Sequence, residues 1–348
     1  MKVTLKDLSK ILGISESAVS MALNGKEGVS EKTRQAVKSA AIEHGYMPDV
    51  IARSLAVQKS KTIGLVVPDI ENPYYGKMVR CIGAYVRELG YSLNLSISNE
   101  DMALEKEIIW DFVSRQVEGI IVSPINRPCS DLSHYELPKK RRLPVAFIAA
   151  HYASRDSNDG NVDEMPYVMV NLEQGAFNLV SYLLGSGHRR IAFMTAQRDI
   201  IAASSRLNGY KRAFNVSGIE VDESLFVTCT HVNFEQAYIV ASRLLKEKKD
   251  IDAIITANDY MALGVLKALY EQGIRVPQDI SVAGCDDIVY ASVANVPITT
   301  VLQDIERMSR LTVNMIFDMI HGNRLTAESI MIEPELIIRE STAIRQLR

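Results

Sequence analysis

From Thr62 to Cys285, short apolar runs alternate with stretches of helical periodicity, and this alternation limits the possible folds more than any other feature of the chain. Near-continuous apolar strands separated by helices mean parallel sheets covered on both faces. A first series has strands at 62–67, 92–97, 119–123 and 145–148, with helices at 74–89 and 102–115. A second has strands at 167–170, 190–194, 225–228, 253–256 and 281–285, with helices at 175–186, 206–216, 234–246 and 260–272. Two doubly wound parallel-sheet lobes are therefore expected in tandem. In such sheets a ligand sits beyond the carboxyl ends of the strands, here in the cleft between the lobes.

The first 60 residues obey a different period. Residues 4–24, TLKDLSKILGISESAVSMALN, read as two short helices broken at Gly13. The first has an apolar stripe at Leu5, Leu8, Ile11 and Leu12. In the second, Ala18, Val19, Ala22 and Leu23 take one half, and Glu16, Ser17, Ser20, Met21 and Asn24 the other. Ser30 caps a third helix with a stripe at Ala36, Val37, Ala40 and Ala41, stopped by Gly45 and Pro48. This is a helix-turn-helix pattern, whose second helix enters the DNA major groove. Pro48 and Asp49 then open a helical segment too short to be stable alone.

Charge follows the same division. The net charge is −3, but residues 1–60 hold nine Lys+Arg against six Asp+Glu, and the remainder holds 30 against 36. A mildly basic head on an acidic body suits a chain of which one end meets phosphate. The 348 residues suit two or three domains. Cys81, Cys129, Cys229 and Cys285 have no metal-like spacing and read as free thiols in a reducing compartment. No apolar run reaches membrane-spanning length and no signal-peptide core opens the chain, so a cytoplasmic protein with no membrane partner is expected.

Residues 3–64, with VTLKDLSKILGIS, VSMALNG, VSEKTRQAV, EHGYMPDVIARSL and KTIG, resemble the head and hinge of LacI/GalR (lactose-repressor-like) transcription regulators. VVPDIENPYYGKM, GSGHRRIAF, SRLNGYKRAF, AIITANDYMALG, VPQDISVAGCDD, PITTVLQD and PELIIREST extend the resemblance over essentially the whole chain, to a body like the periplasmic sugar-binding proteins. It implies a small all-α helix-turn-helix head at 1–46, a hinge helix and linker at 47–60, and an effector-binding and dimerisation body at 61–348. Lobe one would comprise about 61–163 plus 293–323, and lobe two about 164–292 plus 324–342.

The resemblance assigns DNA contacts to Thr4, Ser15, Glu16, Ser17, Ser20, Met21, Asn24 and Arg53. Leu55 becomes a wedge that unstacks a minor-groove base step, with Ala52 leaving room for paired hinge helices. Met21 departs from the arginine many relatives carry, which would read guanine bidentately; a thioether offers apolar contact only. Cleft roles fall to Asp69, Tyr74, Tyr75, Ser123, Arg206, Asn258 and Asp286. Planar polar groups pair with hydroxyls and rings cover apolar sugar faces. Asn258 and Asp286 could equally cap the structures that follow them, and the tyrosines could simply pack. Ala149-Ala150 and Asn171 stand where relatives carry charged or aspartate residues, leaving His151 or the polar loop at 151–165 as substitutes.

Catalytic signatures are missing. Gly185-Ser186-Gly187-His188 lacks the Lys-Ser/Thr of a phosphate loop, no G-x-S-x-G occurs, and no histidine pair has metal spacing. Arg189-Arg190 reads as a helix-end cation cluster. The expectation is a non-enzymatic, cofactor-free repressor. As a homodimer it would bind near-palindromic operator DNA and respond to a small molecule, by family default a sugar or sugar derivative. The alternative is a solute-binding or sugar-processing protein with a non-essential helical appendage.

Overall fold

The structure, a computed structural model, describes residues 3–25, 27–47, 59–125, 131–152, 165–197, 200–247, 250–325, 327 and 329–345. The chain divides into two compact units, Met1–Ser60 and Lys61–Arg348. Arg53, Leu55 and most of the expected hinge lie outside the described residues, as do Cys129 and residues 153–164.

In the first unit, α1 (Leu5–Leu12), α2 (Glu16–Leu23) and α3 (Glu31–Glu43) close over a core of Leu8, Val19, Ala22, Val37, Ala40 and Ala41. Thr4 and Asp7 form a reciprocal capping box on α1. Gly13 takes a left-handed conformation at φ 63°, and its N–H donates to Ser9 O, which closes the turn. Ile11 and Ala36 are exposed rather than part of their helices' buried stripes. Each is one of four apolar positions, and a helix this short buries only the narrow side facing its neighbours.

The second unit holds two six-stranded sheets among the described residues. The first orders as β11 (Ser329–Ile332), β5 (Tyr167–Val170), β4 (Val145–Ile148), β3 (Gly119–Val122), β1 (Thr62–Val67) and β2 (Ser92–Ile97), all parallel. Its helices are α4 (Pro73–Glu88), α5 (Met102–Ser114) and the short α6 (Glu136–Lys140). The second sheet orders as β12 (Glu335–Ile337), β10 (Thr299–Leu302), β9 (Ser281–Asp286), β8 (Ala253–Thr256), β6 (Ile191–Thr195) and β7 (Phe226–Thr228), parallel except at β12. Around it lie α7 (Leu172–Gly185), α8 (Ile201–Val216), α9 (Phe234–Glu247), α10 (Asp259–Glu271) and α11 (Val289–Val293). Central strands such as β3, β4 and β8 are buried at every position, whereas edge strand β2 is nowhere fully buried.

This topology corrects the expected lobe bounds. The 167–170 strand belongs to the first sheet, where Phe147 pairs with Tyr167. Residues 299–302 stay in the second, pairing with β9, and 329–332 return to the first beside β5. The helix after β10, α12 (Ile305–Ile320), packs on α4, β3, β4 and β5 of the first lobe. The chain thus crosses between lobes after β5, after β10 and after β11.

Candidate ligand cavity and nucleic-acid interface

The carboxyl ends of the two sheets enclose a cavity of about 480 Å³, within the usual range for a small-molecule site. Asp69, Tyr74, Tyr75, Ser123, Arg206, Asn258 and Asp286 all line it, so the structure brings together every cleft residue expected from sequence. Their local commitments differ sharply.

On the first lobe, Asp69 Oδ1 accepts from the Glu71 N–H (2.7 Å) and Oδ2 from the Asn72 N–H (3.1 Å). Asn72 caps α4 through the Tyr74 N–H. These carboxylate and amide oxygens hold their own turn. Tyr74 and Tyr75 meet edge to face at 5.2 Å. Tyr74 is buried, and its hydroxyl donates to Gln303 Oε1 at 3.3 Å. Burial, with Asp286 nearby, pushes its pKa well above the ordinary phenol value, so the ring is neutral.

On the second lobe, Asn258 is committed too: Oδ1 caps α10 through the Met261 N–H (2.8 Å), and Nδ2 donates to Val232 O (3.1 Å). Arg206 is not. Nη1 donates to Ala202 O at 3.3 Å, Nη2 lies 3.9 Å from Cys285 Sγ, and buried Nε has no partner among the described residues. A guanidinium carries five donors, and the described residues take only two of them on a side chain that lines the cavity.

Asp286 ends β9 with φ 114° and is 4% exposed; Oδ1 accepts from Gln303 Nε2 at 2.6 Å. Burial lifts its carboxyl pKa to about 7, against the opposing pull of Arg206. Next to it, Asp287 pairs with Arg339 at 2.5 Å. Buried Asp259 lies against Gly284, where an added Cβ would come 2.1 Å from Asp259 Oδ1. It accepts from Thr300 Oγ1 (2.6 Å) and the Ile288 N–H (3.0 Å), tying α10 to β10 and to the turn after β9.

Gln303 also lines the cavity and was not found from sequence, nor were Glu100, Thr230 and His231. Gln303 directly follows the apolar run of PITTVLQD, so the strand-end rule would have indicated it had 299–302 been read as a strand. Ala149 and Ala150 line the cavity. His151 does not replace their missing polarity: its ring stacks on Tyr167 at 4.5 Å. Tyr152, which follows, is anchored in the lobe by donating to buried Glu105. Asn171 caps α7 through the Gln174 N–H. Of the expected helix-end cluster only Arg189 fits, donating to Leu184 O at the end of α7; Arg190 instead pairs with Asp222 (3.0 Å) and Asp250 (2.7 Å).

In the head, Glu16 and Ser17 are exposed on the first turn of α2. Ser15 caps that helix through the Ala18 N–H and shares a hydrogen bond with Ser17 at 2.9 Å. Asn24 Nδ2 donates to Ser20 O at 2.8 Å. Met21 is half-buried, its sulfur against Gly28. The outer face of α2 is thus short and polar, with one thioether.

A helix-turn-helix unit joined to a two-lobed cleft body defines a class, the ligand-responsive DNA-binding regulators. Residues 4–49 match the family model described as bacterial regulatory proteins of the lacI family, and residues 180–342 match a periplasmic binding protein-like domain. The chain is 30% identical over 343 residues to the HTH-type transcriptional regulator DegA of Bacillus subtilis, covering 99% of both chains. It is also 30% identical to the HTH-type transcriptional regulator CelR of Thermobifida fusca, covering 97% of this chain and 98% of that one. Among solved structures, the lac repressor dimer bound to operator and the anti-inducer ONPF superposes with a TM-score of 0.84 at 25% identity, over 99% and 100% of the chains. The chain belongs to the lacI family of bacterial regulatory proteins.

Proposed function

We propose that the protein is a homodimeric, cytoplasmic transcriptional repressor without catalytic activity, whose hold on a near-palindromic operator is set by a polyhydroxylated small molecule between the lobes. The observation that carries this is the pair Arg206 and Asp286, two buried or half-buried ionisable groups with unused hydrogen-bonding capacity lining one cavity. Among the described lining residues, Asp69, Glu100 and Asp286 around one arginine favour an uncharged ligand over a phosphorylated one. Solved relatives include a CelR–cellobiose complex, 27% identical with a TM-score of 0.71.

Two heads on a dimer place two α2 helices in successive major grooves, with Glu16, Ser17 and Met21 toward the bases and Thr4, Ser15, Ser20 and Asn24 toward phosphates. The hinge folds on DNA, with Arg53 on the backbone and Leu55 in the minor groove. Ligand shifts the balance only in so far as it binds the free and operator-bound forms unequally.

The test is a gel shift of the full-length chain on duplexes it selects from a random library, with and without members of a sugar, nucleoside and sugar-phosphate panel first ranked by thermal shift. Specific binding altered by an uncharged sugar is the expected result; no specific binding would sink the regulator reading. Leu55→Ala should weaken specific binding about tenfold or more and non-specific binding little, since the bend the wedge opens must recover in contact more than the few kcal/mol that unstacking costs. Equal losses on both DNAs would remove the wedge.

A further inference from the structure

The end of α6 and the turn that follows it read Lys139-Lys140-Arg141-Arg142, four successive cations on a unit with 30 Lys+Arg against 36 Asp+Glu. All four are exposed. The turn is tightly wound: the Arg142 N–H donates to Lys139 O (3.0 Å) and the Leu143 N–H to Pro138 O (2.9 Å). Lys140 pairs with Glu136 at 2.9 Å, but both side chains are largely exposed and such a pair is weak. A five-residue helix has little dipole to complement, and Arg141 and Arg142 lie beyond its end. Among the described residues, the side chains of Arg141 and Arg142 make no hydrogen bond or ion pair.

Its position is informative. The first sheet is parallel, so the starts of its strands share one edge, opposite the cavity. The Glu118 N–H donates to Thr62 O and the Ile120 N–H to Pro144 O, both at 2.8 Å. Pro144 is therefore two strands from the start of β1, about 10 Å at the usual strand spacing. That start is where the chain enters the body, at Lys61. Among the described acids at this edge, Glu118 accepts from the Lys61 N–H and the Tyr91 hydroxyl, and Glu136 takes Lys140.

The tether from this edge to the helix-turn-helix is 47–60, which spans at most about 50 Å fully extended. A duplex held by the head extends phosphates on that scale, one charge per roughly 1.7 Å of axis. We propose that the Lys139–Arg142 turn is a second, sequence-independent DNA contact, binding phosphates that flank the base pairs read by the head. This rests on the operator-binding reading above. DNA is favoured over an acidic protein because DNA is already tethered within reach and a run of exposed cations needs only phosphate.

The test compares the full-length wild type with Arg141→Gln/Arg142→Gln by fluorescence anisotropy across a salt series. Three duplexes are used: about 20 bp and about 40 bp carrying the selected sequence, and about 40 bp of random sequence. The double variant is expected to bind both long duplexes several-fold more weakly at low salt, with the log–log salt slope reduced by up to about 3.6, roughly 0.9 for each of two arginines on two protomers. The short duplex, the melting temperature and the cavity ligand's thermal shift should not change. Arg141→Lys/Arg142→Lys should restore the slope. An unchanged slope on both long duplexes overturns the proposal, as does an equal loss on short and long ones. An unchanged slope with loss of poly-glutamate binding would reassign the turn to an acidic protein. The random-sequence arm separates the two readings. A wild type without preference for the selected duplex fails the operator reading, while its slope difference still decides this one.

Discussion

The two walls of the cavity present similar residue types and use them in opposite ways. On the first-lobe wall, Asp69 and Asn72 are consumed by the backbone of the β1–α4 turn, which leaves the rings of Tyr74 and Tyr75 as its main offering. On the second-lobe wall, Arg206 and Asp286 carry charge that the fold has only partly used. The site is therefore divided into a rigid aromatic face and an electrostatic face. What a polar residue at a strand end does is decided by whether a neighbouring N–H already claims it.

Breaking the electrostatic face should have the largest consequences. Arg206→Ala is expected to weaken the effector about 100-fold, two charge-assisted bonds at roughly 1.4 kcal/mol each, with operator binding intact. Isothermal titration checks it, and a change under threefold would place the arginine outside the site. Asp286→Asn should be next. The carboxyl pKa rises from 3.8 unfolded to about 7 folded. Between those values the native state keeps a proton the unfolded chain has lost, so stability falls as pH climbs and the cost is complete above about 7. Its size is on the order of 4 kcal/mol. The variant should thus melt higher than wild type at pH 8 and near it at pH 4, yet bind effector more than tenfold more weakly. In the wild type, effector affinity should rise through about pH 7 as the carboxylate acceptor forms; a flat profile would contradict that role.

Substitutions among committed residues sharpen the contrast. Asn258→Ala should cost the body about 1–2 kcal/mol through the lost cap of α10, lowering the melting temperature while effector affinity changes less than about threefold. A large affinity loss without destabilisation would move Asn258 to the electrostatic face. Tyr74→Phe removes one hydrogen bond to Gln303 and should change either quantity by about 1 kcal/mol at most.

Sequence reading recovered what depends on local period. Strands such as 253–256, buried on both sides, read as apolar runs, and Asp286 stood out as a polar residue at a strand end; Arg206, expected to open a helix at 206, instead lies in the second turn of α8 (Ile201–Val216). It missed what depends on distant partners. The strand at 167–170 is followed directly by a helix and looked like the opening of a second series; only its pairing with Phe147 and Ile148 assigns it to the first. The strand at 299–302 is short and half threonine, so Gln303 after it went unnoticed. Ile11 matched the stripe of α1, but the two neighbouring helices cover less of that helix than its periodicity suggests. Asp69 lies where expected, but each of its oxygens already accepts one backbone N–H, from Glu71 and Asn72, features invisible in residue type.

The three crossings between lobes have a mechanical consequence. β5 and β11 form one edge of the first sheet and β10 and β12 one edge of the second, so the three connecting strands run side by side at a single margin. A lone strap would let one lobe spin and slide against the other. Three straps abreast resist twisting and shearing and leave bending about their common line as the soft motion. Whatever occupies the cavity, the body can then report it in one coordinate, an opening angle, and the first lobe carries that single signal to Lys61, where the tether begins.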